Sequence, residues 1–153
     1  MTAGRTGVDV LVAGGGVAGL TAAAAFASAG VSVICVDPEP PVTSAEAEGS
    51  DLRSTAFLQP SVALLERAGL WGRLAGHAAP LAVMRIADAG GEEGVVRETA
   101  DFAARELGAE AFGYNLPNWL LRREMVARLG ELPGAELIDA TSEPARATVG
   151  VRT

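Results

Sequence analysis

The first forty residues of the chain contain two short runs of β-branched apolar residues with an alanine-rich segment between them. Residues 8–13 and 31–36 have the composition of buried strands, and residues 17–29 have that of a helix. Gly30 follows this segment, at the position where helices commonly end. No charged residue occurs from Val10 to Val36, which favours strands and a helix buried in an α/β core. A membrane span of the same length is disfavoured, because three consecutive glycines interrupt it.

The pattern in the rest of the chain predicts further helices and strands. Residues 38–50 hold three prolines among polar residues and predict a loop, whereas an apolar stripe at helical spacing predicts a helix over residues 60–74. A second helix is predicted over residues 118–129. Short apolar runs predict strands at residues 81–87, 95–99, 112–116, 136–138 and 147–151. We therefore expect an α/β fold with a Rossmann-type parallel sheet, which includes residues 136–138, and an antiparallel excursion at about residues 79–117.

The composition of the chain disfavours several kinds of partner and site. The 153 residues suffice for one domain with a core, and the net charge of −7 argues against a nucleic-acid partner. With a single cysteine, no internal disulfide can form, and the apolar surroundings of Cys35 predict a buried small residue rather than a nucleophile. The single histidine, His77, has no second ligand at metal-binding spacing, so we expect no metal site. A reduced, cytoplasmic setting fits these features.

Residues 14–19 carry the pattern G-x-G-x-x-G between the first predicted strand and the first predicted helix. That context makes the pattern a dinucleotide-binding fingerprint. Gly14 permits a tight turn, Gly16 allows close approach of a pyrophosphate, and Gly19 allows the helix to pack against the strands. The pyrophosphate would meet unpaired N–H groups at the start of the helix. The expected cofactor-binding residues of this turn are Gly14, Gly16, Val17, Ala18 and Gly19.

Asp37 ends the second predicted strand, eighteen positions after Gly19. An acidic residue at this place accepts hydrogen bonds from ribose hydroxyls and repels a 2′-phosphate, which disfavours NADP at this site. The alternative is a glycine-rich turn with an unrelated loop aspartate. The fingerprint by itself does not distinguish FAD from NAD.

The following segments resemble a known family. The run D-x-R-x-T-A occupies residues 51–56, and G-L-W occupies residues 69–71. Further matching segments are residues 84–88, residues 112–114, and the helix start from Asn118 to Arg123. With the glycine motif and Asp37, these segments resemble the flavin-dependent aromatic hydroxylases, and within them the ubiquinone-biosynthesis (2-polyprenyl-6-methoxyphenol hydroxylase-like) enzymes. The resemblance extends over nearly the whole chain.

This resemblance implies that the cofactor is FAD, with its ADP half on the glycine turn and Asp37. It also places Arg53 near the cofactor and Asn118 on a position that faces it. The alternatives are a surface loop arginine for Arg53 and a helix N-cap for Asn118. Residues 1–78 and 118–153 would belong to an incomplete FAD-binding domain, and residues 79–117 to the first part of a substrate domain.

The activity that the resemblance implies is hydroxylation of a phenol or quinone-precursor ring with O₂ and NAD(P)H. It also allows peripheral association of the parent enzyme with the inner membrane. Family members are more than twice as long, so we expect an N-terminal piece that is inactive alone, with the catalytic residues beyond Thr153. Two alternatives stay open: a non-catalytic dinucleotide-binding fragment, and another FAD-dependent oxidoreductase or reductase with the same opening. The aromatic substrate and the oligomeric state do not follow from the sequence.

Overall fold

The computed structural model describes residues 7–91 and 94–139, which form eight strands and four helices. The strands are β1 (Val10–Ala13), β2 (Val33–Asp37), β3 (Ser54–Leu58), β4 (Ala79–Pro80), β5 (Val83–Gly90), β6 (Val95–Ala103), β7 (Gly113–Pro117) and β8 (Ala135–Asp139). The helices are α1 (Val17–Ser28), α2 (Gln59–Arg67), α3 (Trp71–Leu74) and α4 (Asn118–Glu131). Short 3₁₀ turns occupy Ala75–His77 and Ala104–Leu107.

Strands β1, β2 and β8 form a parallel sheet with β2 in the centre, which confirms the predicted fold class. Val33 of β2 pairs with Val10 on one side and with Ala135 on the other. The first three residues of β2 are therefore buried. Strand β1 pairs with β2 alone among the described residues, and its Leu11 is 45% exposed. The prediction that the first strand is buried is thus wrong for the described part of the chain.

Helices α1 and α4 pack side by side, and α1 presents Ala23, Ala24 and Ala27 as buried residues. Small side chains let the two helices approach closely. Near the start of α1 the Thr21 hydroxyl lies 3.7 Å from the Met125 sulfur. Near its end, Ser28 lies 3.4 Å from the guanidinium of Arg128. The later residue of α1 thus contacts the later residue of α4. The two helices therefore run parallel, with their N-termini at the same end.

The segment between the parallel strands is antiparallel, as predicted. Strand β7 pairs with β3 and β4, whereas β5 and β6 form a separate two-stranded hairpin. Several apolar side chains of the hairpin are exposed, including Met84, Ile86 and Phe102. The division into domains at residues 78 and 118 stays a prediction. Strand β7, from the second predicted segment, pairs directly with β3 from the first.

Some predicted elements differ from the structure. A single helix over residues 60–74 is wrong, because Gly69 adopts a φ of +70° between α2 and α3. Strands β3 and β4 were not predicted, and both strands of the hairpin are longer than expected. Gly30 lies just past the end of α1 with a φ of +83°, as its predicted role in ending the helix requires. The strand predicted at residues 147–151 lies outside the described residues.

No helix in residues 7–91 or 94–139 has the length and apolar character needed to cross a bilayer.

Candidate functional site

The glycine turn connects β1 to α1 at the carboxyl end of the parallel sheet. Gly14 has a φ of +109°, a backbone conformation that residues with a Cβ rarely adopt. Its N–H donates to the Val36 carbonyl at 2.7 Å, which ties the turn to β2. Helix α1 then begins, with a hydrogen bond of 2.9 Å from the Leu20 N–H to the Gly16 carbonyl. The turn thus lies at the edge of the sheet where ligands of open α/β folds bind.

Gly16 and Gly19 differ in what surrounds them. A Cβ on Gly19 would meet the Gly14 carbonyl oxygen well inside contact distance, and it would lie 3.3 Å from a methyl of Val12. This glycine is required for packing of the helix against the turn and β1. Apart from its own chain neighbours, no described residue has a heavy atom within 4 Å of the place where a Cβ on Gly16 would stand. The space beside Gly16 is open to a ligand.

The N-terminus of α1 suits an anion. Gly16 is the N-cap residue and provides no side chain to accept a hydrogen bond from the helix. No acidic residue occupies the first turn, which includes Val17 and Ala18. The first N–H groups of a helix have no partner within the helix and carry partial positive charge. A phosphate group therefore fits this position without competing with a side chain.

Asp37 lies at the end of β2, against the glycine turn. Its Oδ2 accepts a short hydrogen bond from the Gly15 N–H, and its Oδ1 accepts one of 2.8 Å from the Glu39 N–H. The structure therefore brings Asp37 and the turn together, as the sequence predicts. Gly15 is a contact that the fingerprint did not identify, although the run of three glycines marks the position. A Cβ on Gly15 would lie 3.0 Å from the Cβ of Asp37.

A small cavity of about 150 Å³ adjoins Asp37 at the carboxyl ends of β2 and β8. Asp139 pairs with Asp37 across the two parallel strands and lines the same cavity. The other walls are apolar, and they come from Pro40, Pro41, Leu137 and Ile138. A flat apolar group with hydrogen-bond donors at its edge matches such a lining.

Cys35 precedes this site on β2 and is fully buried. Its thiol lies 3.6 Å from the Gly14 carbonyl. Burial, and secondarily the charge of Asp37, raises the pKa of the Cys35 thiol. The thiol therefore stays protonated and packs as a small residue, which confirms the prediction.

The D-x-R-x-T-A run at residues 51–56 forms a polar cluster separate from the glycine turn, and Arg53 belongs to it. Its Nε and Nη2 donate to the two carboxylate oxygens of Asp51 at 2.8 and 2.9 Å. The Arg53 side chain is 83% exposed, whereas that of Asp51 is 11% exposed. Arg53 is thus a surface arginine, but one held in a fixed two-point ion pair.

Asn118 lies at the first position of α4 and is buried. The N-cap residue is Pro117, so the alternative interpretation of Asn118 as an N-cap is wrong. Its side-chain amide donates to Asp51 at 2.9 Å and accepts from the Thr55 hydroxyl at 2.6 Å. Its backbone N–H donates to the Arg53 carbonyl at 2.8 Å. The start of β3 and the start of α4 are therefore joined at one polar cluster.

Asp51 is the centre of this cluster. Hydrogen bonds from Arg53 and then from Asn118 hold the pKa of the Asp51 carboxyl well below its usual range. Arg122 adds a second positive charge, 3.8 Å from the carboxylate. Sequence reasoning included Asp51 and Thr55 in the motif but did not assign them a role.

The glycine turn with Asp37 and the polar cluster around Asp51 both lie near the N-terminal ends of α1 and α4. The parallel helices α1 and α4 start at Val17 and Asn118, four and seven residues before the contact between Thr21 and Met125. The glycine turn before Val17 and the polar cluster at Asn118 therefore lie at the same end of this helix pair.

No group of three or more potential metal ligands occurs among the residues that the structure describes. His77 lies exposed on the short turn after α3.

Comparison with known proteins gives a consistent result. A family model described as an FAD binding domain matches residues 7–144. Ubiquinone hydroxylase UbiL of Rhodospirillum rubrum is 38% identical to the chain over 143 residues. These residues are 92% of this chain and 30% of that protein, so the chain spans less than a third of the relative's length.

Two solved structures are also similar. The p-nitrophenol 4-monooxygenase PnpA from Pseudomonas putida DLL-E4 superimposes with a TM-score of 0.59 at 26% identity, over 84% of this chain and 30% of that one. The flavin-dependent monooxygenase PieE, solved in complex with FAD and substrate, gives a TM-score of 0.63 at 25% identity. That match covers 88% of this chain and 24% of PieE.

Proposed function

The chain belongs to the FAD-binding domain family, and on this premise we propose that the whole protein is an FAD-dependent monooxygenase. Its reaction is hydroxylation of a small aromatic ring, with O₂ and NAD(P)H as co-substrates. The observation that carries the proposal is the open space beside Gly16, at an uncapped helix N-terminus with Asp37 fixed next to it. The relatives named above are a ubiquinone hydroxylase and two monooxygenases, one of them acting on p-nitrophenol.

The ADP half of FAD is assigned to the glycine turn and Asp37. The first N–H groups of α1, at Gly16, Val17 and Ala18, would hold the pyrophosphate. Each carboxylate oxygen of Asp37 accepts one backbone N–H and retains capacity to accept a second donor. The ribose hydroxyls would supply those donors. The apolar cavity beside Asp37 is then the place for the adenine ring.

Arg53 and Asn118 are assigned to the part of the cofactor beyond the pyrophosphate. Their cluster lies on the same side as the glycine turn, and the Arg53 guanidinium is exposed. We retain the assignment of residues 79–117 to the first part of a substrate domain. The exposed apolar face of the hairpin that includes Met84, Ile86 and Phe102 is consistent with an aromatic ligand or a further layer of protein.

When bound, FAD would supply the electron transfer and oxygen activation that no protein side chain provides. The residues of this chain bind and orient the cofactor, and none of those described is assigned as a catalytic acid, base or nucleophile.

The experiment is a turnover assay on the whole protein that contains this chain. We expect purified protein with flavin absorbance, NAD(P)H oxidation that depends on an added phenol, and a hydroxylated product that contains oxygen from O₂. A colourless protein that binds no added FAD would refute cofactor binding. Flavin reduction without a hydroxylated product from any phenol would instead indicate a reductase.

A further inference from the structure

The Asp51 carboxylate is shielded and multiply bonded, unlike the other bidentate aspartate–arginine pair of the described chain. Asp51 accepts hydrogen bonds from Arg53, two positions away, and from Asn118, which is 67 positions away at the start of α4. The second pair joins Asp101 to Arg85 on the hairpin, with both contacts at 2.7 Å. There the side chains are 45% and 67% exposed, against 11% for Asp51. A shielded carboxylate with several donors fixes its partners more firmly than a solvated one.

The ion pair with Asp51 leaves part of the guanidinium available. Arg53 has five N–H donors, and two nitrogens, Nε and Nη2, face Asp51. The other edge, which includes Nη1, faces away from Asp51 on a largely exposed side chain. A planar guanidinium anchored along one edge presents its free edge in a defined direction.

The Asn118 amide is fixed by the same carboxylate. Its nitrogen donates to Asp51 while its oxygen accepts from Thr55, so the amide cannot flip without losing both hydrogen bonds. Its second N–H remains to be used. Within the described part of the chain, the charged groups that face Asp51 are Arg53 from its own segment and Arg122 from α4.

We propose that Asp51 is a positioning residue that holds the Arg53 guanidinium and the Asn118 amide ready for the cofactor. This inference rests on the proposed function, which assigns Arg53 and Asn118 to FAD. An unanchored arginine would lose its side-chain rotamer freedom only on binding, which weakens affinity. Asp51 orders the Arg53 side chain in the cofactor-free protein, so this entropy is not lost on binding. The opposite expectation is simple charge competition, in which loss of Asp51 would free the positive charge of Arg53 and tighten binding of an anion.

The experiment uses four variants of the whole protein that contains this chain: Asp51→Asn, Arg53→Gln, the double variant, and Asp101→Asn as the matched control. Asparagine has the shape of aspartate, but one of the two acceptor oxygens is replaced by an NH₂ group. It therefore cannot accept both guanidinium hydrogen bonds. The heteronuclear NOE of the Arg53 Nε–H reports whether the side chain is ordered without any cofactor. Titration with FAD, followed by amide chemical shifts, reports affinity.

We expect an ordered Arg53 Nε–H in the wild type and in Asp101→Asn, and a mobile one in Asp51→Asn. We also expect Asp51→Asn to weaken FAD binding about tenfold when Arg53 is present and to have little further effect in the Arg53→Gln background. A mobile Arg53 in the wild type, or tighter FAD binding in Asp51→Asn, would overturn the proposal. An equal loss of affinity in both backgrounds would also overturn it, since it would indicate a general structural role. If Asp51 orders Arg53 but no variant or wild type responds to FAD, the proposed function fails while the positioning of Arg53 stands.

Discussion

The side chain of Asp37, at the end of β2, accepts a hydrogen bond from the backbone N–H of Gly15 in the middle of the glycine turn. One carboxylate therefore connects the turn that would hold a pyrophosphate to the strand end that would hold a ribose. The same side chain accepts the Glu39 N–H, which fixes the chain as it leaves the sheet. Because both bonds come from the backbone, the orientation of the carboxylate does not depend on flexible partners.

Replacement of Asp37 by alanine is expected to weaken FAD binding at least about tenfold, because charge-assisted hydrogen bonds to the ribose are lost. Isothermal titration or flavin fluorescence on the whole protein measures this. Asp88→Ala, on the exposed hairpin, is the control and should leave affinity unchanged. If Asp37→Ala binds FAD as tightly as the wild type, the ribose assignment is wrong.

Gly16→Val is expected to abolish FAD binding and to change the stability of the cofactor-free protein little. Apart from its chain neighbours, no described residue lies within 4 Å of the added Cβ. The backbone at Gly16 has φ −72° and ψ 177°, which valine adopts readily. The added methyl groups would fill the space meant for the pyrophosphate. Thermal unfolding and an FAD titration on the same preparation separate the two effects. Retained affinity would show that this space is not the cofactor site.

Gly19→Ala should have the reverse effect, with loss of fold stability as the primary result. The new methyl group would collide with the Gly14 carbonyl oxygen, a backbone atom that cannot rotate away. We expect the free energy of unfolding to fall by about 3 kcal/mol. Gly130→Ala in α4 is the matched control, because its Cβ would meet no described atom within 4 Å outside its chain neighbours and the nearby helix backbone. It should raise stability by up to about 1 kcal/mol. Urea denaturation measures both, and equal stabilities would contradict the packing role of Gly19.

Stability should fall in acid partly through Asp51. Its pKa is lowered in the folded state, so its contribution is full above the ordinary value of 3.8 and is lost as the pH falls towards its lower folded value. Denaturant unfolding of the wild type and Asp51→Asn at a series of pH values tests this. The stability difference between them should be constant near neutrality and should shrink below about pH 4. A difference that is independent of pH would mean that the charge of Asp51 contributes nothing.

The strand, glycine turn, helix and second strand could be predicted because their signals are local. The three glycines and the uncharged apolar segment around them specify one supersecondary unit, and Asp37 follows at fixed spacing. The break between α2 and α3 was missed because Leu64, Leu65, Ala68 and Leu70 continue the helical periodicity through Gly69. The spacing of apolar residues does not indicate that Gly69 adopts a positive φ.

The second half of the candidate site depends on contacts that are distant in sequence. Strand β3 has only five residues without an apolar–polar alternation, and it forms by pairing with β7, more than fifty residues later. Asp51 acquires its role only when the start of α4 is placed beside it, so that Asn118 can donate to it. Pairing partners of this kind cannot be read from local periodicity.

The central claim, that the glycine turn binds the ADP part of FAD, is tested most directly by titration of the isotope-labelled whole protein that contains this chain with FAD, monitored by backbone amide chemical shifts. This measurement detects even weak binding and identifies its location. We expect the amides of Gly15, Gly16, Val17 and Ala18 to shift in a saturable way, together with that of Asp37, while those of the β5–β6 hairpin do not. The absence of any shift in the turn at millimolar FAD, or shifts confined to the hairpin, would contradict it.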